Sequence, residues 1–315
     1  MAATPDSQGH DAASPTQIPR AGWWGILRRA AKQVSENRIL TEAAGITFYA
    51  LLALFPAITA MVSLYGLVAE PATITGHLQG LSQVLPAGGM QIVEEQARRV
   101  ASKADGTLGI GAAVGLGTAL WSANAATKAF FDALNIVYEE KEKRGFLLRT
   151  AVSLAFTIAG IVFVLLAISA IVVVPLILNF VGLGNAVEWL LALGRWPILL
   201  IGITALLACL YRYGPSRERA RWRWVSWGGA FASLGWLLFS AAFSWYAANF
   251  GSYDETYGSL GAVVGFMTWI WLSSTVVLVG AEINAEMERQ TTVDSTTGEA
   301  RPMGQRGAAM ADKTA

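Results

Sequence analysis

The chain has 315 residues, 54% of them hydrophobic and only 14% charged, against about 25% charged in soluble globular domains, which excludes a water-solvated surface of the ordinary kind. A net charge of +1 and a pI near 7.8 give no footprint for a polyanion, whose binding rests on clustered Lys and Arg, so no nucleic-acid partner is expected. The single cysteine, Cys209, excludes an intramolecular disulfide or a cysteine-rich zinc site.

Residues 1–20 are rich in Ala, Ser, Thr and Pro without apolar periodicity and read as a disordered N-terminal tail. No cleavable signal pattern opens the chain, so the first apolar span must itself direct insertion. Residues 21–40 contain AGWWGILRRAAKQV, where Trp23, Trp24, Leu27 and Val34 share one helical face and Arg28, Arg29 and Lys32 lie elsewhere. That pattern predicts an amphipathic helix lying on an anionic leaflet; the alternative is a helix packed on the bundle.

A membrane domain follows over 41–290. Apolar runs near 43–69, 107–127, 150–178, 196–213, 225–248 and 259–283 each approach the roughly 20 residues that cross the hydrocarbon as a helix. The expected fold is all-α: a polytopic membrane protein of six transmembrane helices. Between the first two spans, 70–106 carries both signs of charge and a PAGG break at Pro86 to Gly89, and predicts an extracytoplasmic helical hairpin. Residues 291–315 read as a disordered C-terminal tail.

Orientation follows from basic residues, which cytoplasmic connections accumulate. The N-terminal segment holds Arg20, Arg28, Arg29, Lys32 and Arg38. The second connection, with the end of the second span, holds Lys128, Lys141, Lys143, Arg144 and Arg149, and the fourth holds Arg212, Arg217, Arg219, Arg221 and Arg223. The C-terminal tail adds Arg289, Arg301, Arg306 and Lys313. The opposite side has only Arg98, Arg99, Lys103 and Arg195. Both termini are therefore expected on the cytoplasmic side of the membrane.

Four stretches carry a family resemblance: ITFYALLALFP at 46–56, LWSANAATKAFFDALNIVY at 120–138, LYRYGPS at 210–216, and YGSLGAVVGFMTWIWLSSTVVLVGAEINAE at 257–286. Tyr257, Gly258, Leu260, Gly261, Gly280, Ala281, Glu282 and Asn284 fall where the pattern has them. Over roughly residues 23–290 the chain resembles the YihY/BrkB family of bacterial inner-membrane proteins. Its fourth connection reads YGPS where that family often has YLPN or YVPN. The resemblance implies a bundle of known topology, with transport or lipid handling the usual conjecture, and an older label, ribonuclease BN.

The nuclease label meets little support in the residues, since metal-held water or a His pair is the common hydrolytic apparatus. The two histidines, His10 and His77, lie far apart in sequence and on opposite sides under this topology. No catalytic residue, metal or cofactor is expected. Gly111 with Gly115, and Gly261 with Gly265, have the four-residue spacing that lets helix backbones approach; internal packing or a dimer interface would both use it.

Asn124, Lys128, Asp132 and Asn135 fall within about 80° on one helical face, either as structure or as the lining of a hydrated cavity. With Glu42, Arg212, Glu282, Asn284 and Glu286 they form an expected polar cluster at the cytoplasmic helix ends. Glu282 and Glu286 sit one turn apart at a helix C-terminus, where dipole and mutual repulsion oppose both. A cation is required nearby, and Arg212 is the expected partner of Glu282, with Lys128 second. The functional expectation is transport or handling of a lipid-associated or small polar substrate, with membrane lipids as partners. A non-transporting envelope scaffold is the alternative, and a ribonuclease the less favoured one; substrate and oligomeric state are not encoded legibly.

Overall fold

The structure, a computed structural model, describes residues 8–66, 108–170, 185–250 and 259–315. The hairpin expected over 70–106 lies outside the described residues. Seven α-helices are described: α1 (Arg20–Glu36), α2 (Ile39–Gly66), α3 (Leu108–Val137), α4 (Phe146–Ile168), α5 (Asn185–Tyr213), α6 (Trp222–Phe250) and α7 (Ser259–Gln290). Among the described residues there is no strand, only an isolated antiparallel bridge between Ala220 and Thr296. Four stretches are long and apolar enough to cross a membrane: Phe146–Ala167, Leu193–Tyr213, Trp222–Tyr246 and Val263–Gln290. Their outer faces carry Leu147, Ile198 and Leu238 at 81%, 70% and 73% exposure, a disposition that suits lipid rather than water.

The chain divides into two compact units. The first comprises Met1–Leu40, Phe130–Leu237 and Thr275–Ala315. Its core gathers Ala12, Ile18, Ile26, Ala30, Trp224, Ile283 and Met287, with Trp23 and Val279 against it. Small residues set the helix spacing there. A Cβ at Gly202 of α5 would stand 2.8 Å from the Phe163 ring of α4, and one at Gly228 of α6 would stand 2.3 Å from the Gly280 carbonyl oxygen of α7. Tyr211 of α5 donates its hydroxyl to the Val277 carbonyl of α7 at 2.7 Å. The second unit comprises Thr41–Ala129 and Leu238–Ser274. Within it Trp269 donates its indole N–H to Ser240 at 3.3 Å and stacks on Phe266.

Helix α1 presents Gly22, Ile26 and Ala30 to the core, while Trp24 and Leu27 stay exposed. The apolar arc is thus wider than one contact needs. Part of it packs on the bundle through Ile26, Ala30 and Trp23.

The two tails depart from expectation. Residues 8–19 and 291–315, read from composition as disordered, fold onto the helix ends. Thr291 donates its hydroxyl to the Ala12 carbonyl at 2.7 Å, and Gln290 donates to Gln8 at 2.8 Å. Arg306, 4% exposed, donates to the carbonyls of Thr292, Arg301 and Ala311. Segments poor in apolar residues gain order here because the polar end of α7 offers them hydrogen-bonding partners.

Candidate functional site

Every residue of α7 from Gly280 to Glu288 is buried, although the stretch reads GAEINAEME. An advance of about 100° per residue puts Glu282 and Glu286 on one face and Asn284 and Glu288 on the opposite one. Each face then meets its own partners. On the first, Glu286 accepts from Arg29 Nε of α1 at 2.6 Å and lies 3.5 Å from Arg289, while Glu282 accepts from Asn37 Nδ2 at 2.7 Å. On the second, Asn284 accepts the Gly228 N–H at 2.8 Å. Arg217 grips Glu288 through two nitrogens at 2.7 and 2.8 Å, both side chains fully buried. The Arg217 guanidinium also lies 3.9 Å over the Tyr138 ring. Burial alone would lower the Arg217 pKa, but Glu288 outweighs it and raises it.

The backbone enters this hub under strain. Arg38, after the Asn37 that holds Glu282, and Glu139, after Tyr138, have φ of 51° and 52°. The left-handed region costs a side-chain-bearing residue of order 1 kcal/mol and persists where surrounding contacts enforce it.

The expected pairing of Glu282 with Arg212 is not what the structure has. Arg212 ends α5, where the dipole favours its charge, and donates Nη1 to the Ala220 carbonyl while its guanidinium lies 4.5 Å from the Trp222 ring. Lys128 lies within α3, away from its end. Among the described residues no cation lies within ion-pair distance of Glu282, and its Oε2 has no hydrogen-bond partner. The one hydrogen bond this carboxylate receives comes from an amide in the turn joining α1 to α2, which depth along the helices could not reveal.

The other expected residues have distinct roles. Asp132 receives two bonds from Arg149 of α4, both 2.7 Å. Asn135 accepts the Ser216 N–H at 2.7 Å and donates to Glu142 at 3.3 Å, tying the end of α3 to the YGPS turn. Ser216 accepts in turn from the Lys143 N–H at 2.9 Å. Asn124 is buried with an unpartnered Oδ1, and Glu42 lies in the first turn of α2. Gly115 and Gly261 are buried, whereas a Cβ at Gly265 would meet nothing within 4 Å. Gly111 is helical. Between helices of the first unit, α6 and α7 approach closely at Gly228 and Gly280, where a Cβ would stand 2.3 and 2.7 Å from its nearest neighbour, and spacing alone did not single these glycines out. Glu288, Arg217 and Tyr138 were also missed, although acids on opposite faces of one helix end signal burial on all sides.

Several helices long enough to cross a bilayer, one of them ending in a sheathed charged hub, define a polytopic α-helical membrane protein. Among the described residues no group of three or more His, Cys, Asp and Glu is placed to hold a metal ion. The chain belongs to the family described as Virulence factor BrkB, whose model matches residues 30–304. It is 30% identical to the ribonuclease-like protein YfkH of Bacillus subtilis (strain 168) over 79% of this chain and 90% of that one. It is 28% identical to the UPF0761 membrane protein azo3165 of Azoarcus sp. (strain BH72), over 87% of this chain and 67% of that one. For the UPF0761 membrane protein NMB0524 of Neisseria meningitidis serogroup B the identity is 27%, over 84% of this chain and 62% of that protein. The chain thus spans about two thirds or less of the length of these two UPF0761 relatives. No solved structure matches it.

Proposed function

We propose that this is a six-span protein of the bacterial plasma membrane, both termini cytoplasmic, that moves or handles a lipid-associated or small polar substrate. In this reading Glu282 is the group that takes up a proton or a cation. One observation carries it: Glu282 lies within the span Val263–Gln290, fully buried, with one oxygen held by an amide and the other unpartnered. An unpaired ionisable group at such a place is costly and is characteristically functional.

The test is reconstitution into liposomes, following a fluorescent phosphatidylglycerol by dithionite quenching and protons by entrapped pyranine. Either signal should exceed that of empty liposomes and fall about tenfold or more in Glu282→Gln, as loss of one charge-assisted contact entails. Signals equal to those of empty liposomes overturn the reading. For orientation, cysteines introduced near Asp254 in a Cys209→Ala background should react with an impermeant thiol reagent from outside, and those near Lys143 or Arg219 should not. The opposite labelling refutes the cytoplasmic termini.

The sheath around α7 also favours a second reading, an envelope-assembly scaffold in which the hub is a structural clasp. A stoichiometric partner that co-purifies, without flux, would select it. The ribonuclease-like name belongs to YfkH. Cleavage of tRNA that co-elutes with the pure protein would be needed to bring it to this chain.

A further inference from the structure

We propose that a cavity in the first unit, between the start of α4 and the turn after α5, binds a phosphate group, free or carried on a lipid headgroup. Its volume is about 440 Å³, within the roughly 300–1,000 Å³ of small-ligand sites. Five cations line it, Lys143, Arg144, Arg212, Arg217 and Arg219, against the single carboxylate of Glu218.

Three of the five already have acids: Lys143 has Glu140 at 2.8 Å, Arg144 has Glu142 at 2.7 Å, and Arg217 has Glu288 at 2.7 Å. Arg212 and Arg219 have none within ion-pair distance among the described residues. Arg212 is 9% exposed, its Nε lacks a hydrogen-bond partner, and its one side-chain bond is to the Ala220 carbonyl. A guanidinium removed from water without a counter-charge is strongly disfavoured.

The aromatic contacts show how the two cations are held for a ligand. Arg212 lies 5.4 Å and Arg219 5.1 Å from the same Tyr213 ring, and Arg212 also lies 4.5 Å from Trp222. An aromatic ring occupies the flat face of a guanidinium. The edge bearing the N–H donors stays available, and that edge matches pairs of phosphate oxygens. Both guanidinium groups lie beside one ring, two like charges that a single anion would neutralise. Leu148 and Val152 at the start of α4 add apolar lining. Leu148 follows directly in sequence on the exposed Phe146 and Leu147, apolar side chains that an acyl chain attached to the phosphate could meet.

This assignment is independent of transport, since binding without flux would leave it standing. The full-length protein in detergent would be incubated with phosphatidic acid, with diacylglycerol as its phosphate-free match, and separately with radiolabelled inorganic phosphate. Native mass spectrometry reads the lipids, and equilibrium dialysis reads the phosphate. Wild type should retain phosphatidic acid over diacylglycerol, or bind inorganic phosphate. Arg212→Gln and Arg219→Gln should each weaken that binding about tenfold or more, as loss of a charge-assisted contact does. Phosphatidic acid retention identifies the lipid-borne group, and phosphate binding without lipid retention identifies the soluble one. Arg219 is exposed, so its variant carries the test should Arg212→Gln fail to fold. Equal retention of diacylglycerol and phosphatidic acid without phosphate binding, no binding of either probe, or binding unchanged in Arg219→Gln overturns the proposal.

Discussion

Arg217 and Glu288 are the residues whose energetics the structure defines most sharply, because both are fully buried and joined through two bonds. Removing one partner leaves a buried charge alone, at a cost of about 3–5 kcal/mol, whereas removing both does not. Arg217→Met and Glu288→Met should therefore each lower the Tm in detergent more than the double variant does; additive losses would show that the pair is not coupled. Glu142 makes a prediction in pH. Burial pushes its carboxyl up, but the hydrogen bonds and charge of Arg144 prevail and hold it at about 2, below the ordinary 4.5. Its contribution is thus complete above the ordinary value and lost as the pH falls through about 2. Wild type should exceed Glu142→Gln in Tm at neutral pH, with the gap closing between about pH 5 and pH 2. A gap constant across that range would contradict the assignment. Only part of this site was legible in sequence. The conflict of Glu282 and Glu286 with their helix end could be read, but their partners could not, because Asn37 and Arg29 lie some 250 residues away and are brought in by α1.

At the scale of elements, apolar length located the helices well. The runs near 150–178, 196–213, 225–248 and 259–283 correspond to the described spans within α4 to α7. The run at 107–127 marks only the apolar part of α3, which continues to Val137, as the helical face shared by Asn124, Lys128, Asp132 and Asn135 requires. Past Lys128 the sequence turns amphipathic, burying Phe131, Leu134 and Val137 while Asp132 and Ile136 stay exposed. A window seeking continuous apolarity stops there, although the helical period persists. Helix spacing was less visible, since it depends on which glycine faces which backbone. Gly228→Ala would drive a methyl to within 2.3 Å of the Gly280 oxygen and 2.4 Å of Asn284. A loss of about 1–3 kcal/mol is expected from such overpacking. Gly45→Ala, whose Cβ would meet nothing within 4 Å, should be neutral or stabilising by about 0.5–1 kcal/mol from helix propensity. Thermal unfolding of the two variants in the same detergent checks the contrast, and equal Tm values would refute the close approach of α6 to α7.

On the scale of the whole molecule, the chain ends were the least legible part. Composition alone describes 291–315 as solvated, yet Ser295 reaches Glu288, Gly307 accepts from Glu218, and Lys313 pairs with Glu139. Polar segments order when a preformed polar surface awaits them, and no local periodicity announces that surface. Truncation after Gln290 removes several such bonds, each worth about 1 kcal/mol, and should lower the Tm by at least several degrees; an unchanged Tm would show the segment to be dispensable. The hub also sets a timetable. Arg29 is made early, while its acceptor Glu286 lies 257 residues downstream. At a translation rate of about 5–20 residues per second, Arg29 waits roughly 10–50 s for that acid to be synthesised. A nascent chain stalled before Glu286 would hold α1 beside an unfinished docking surface, with Arg29 still lacking the acid that receives it.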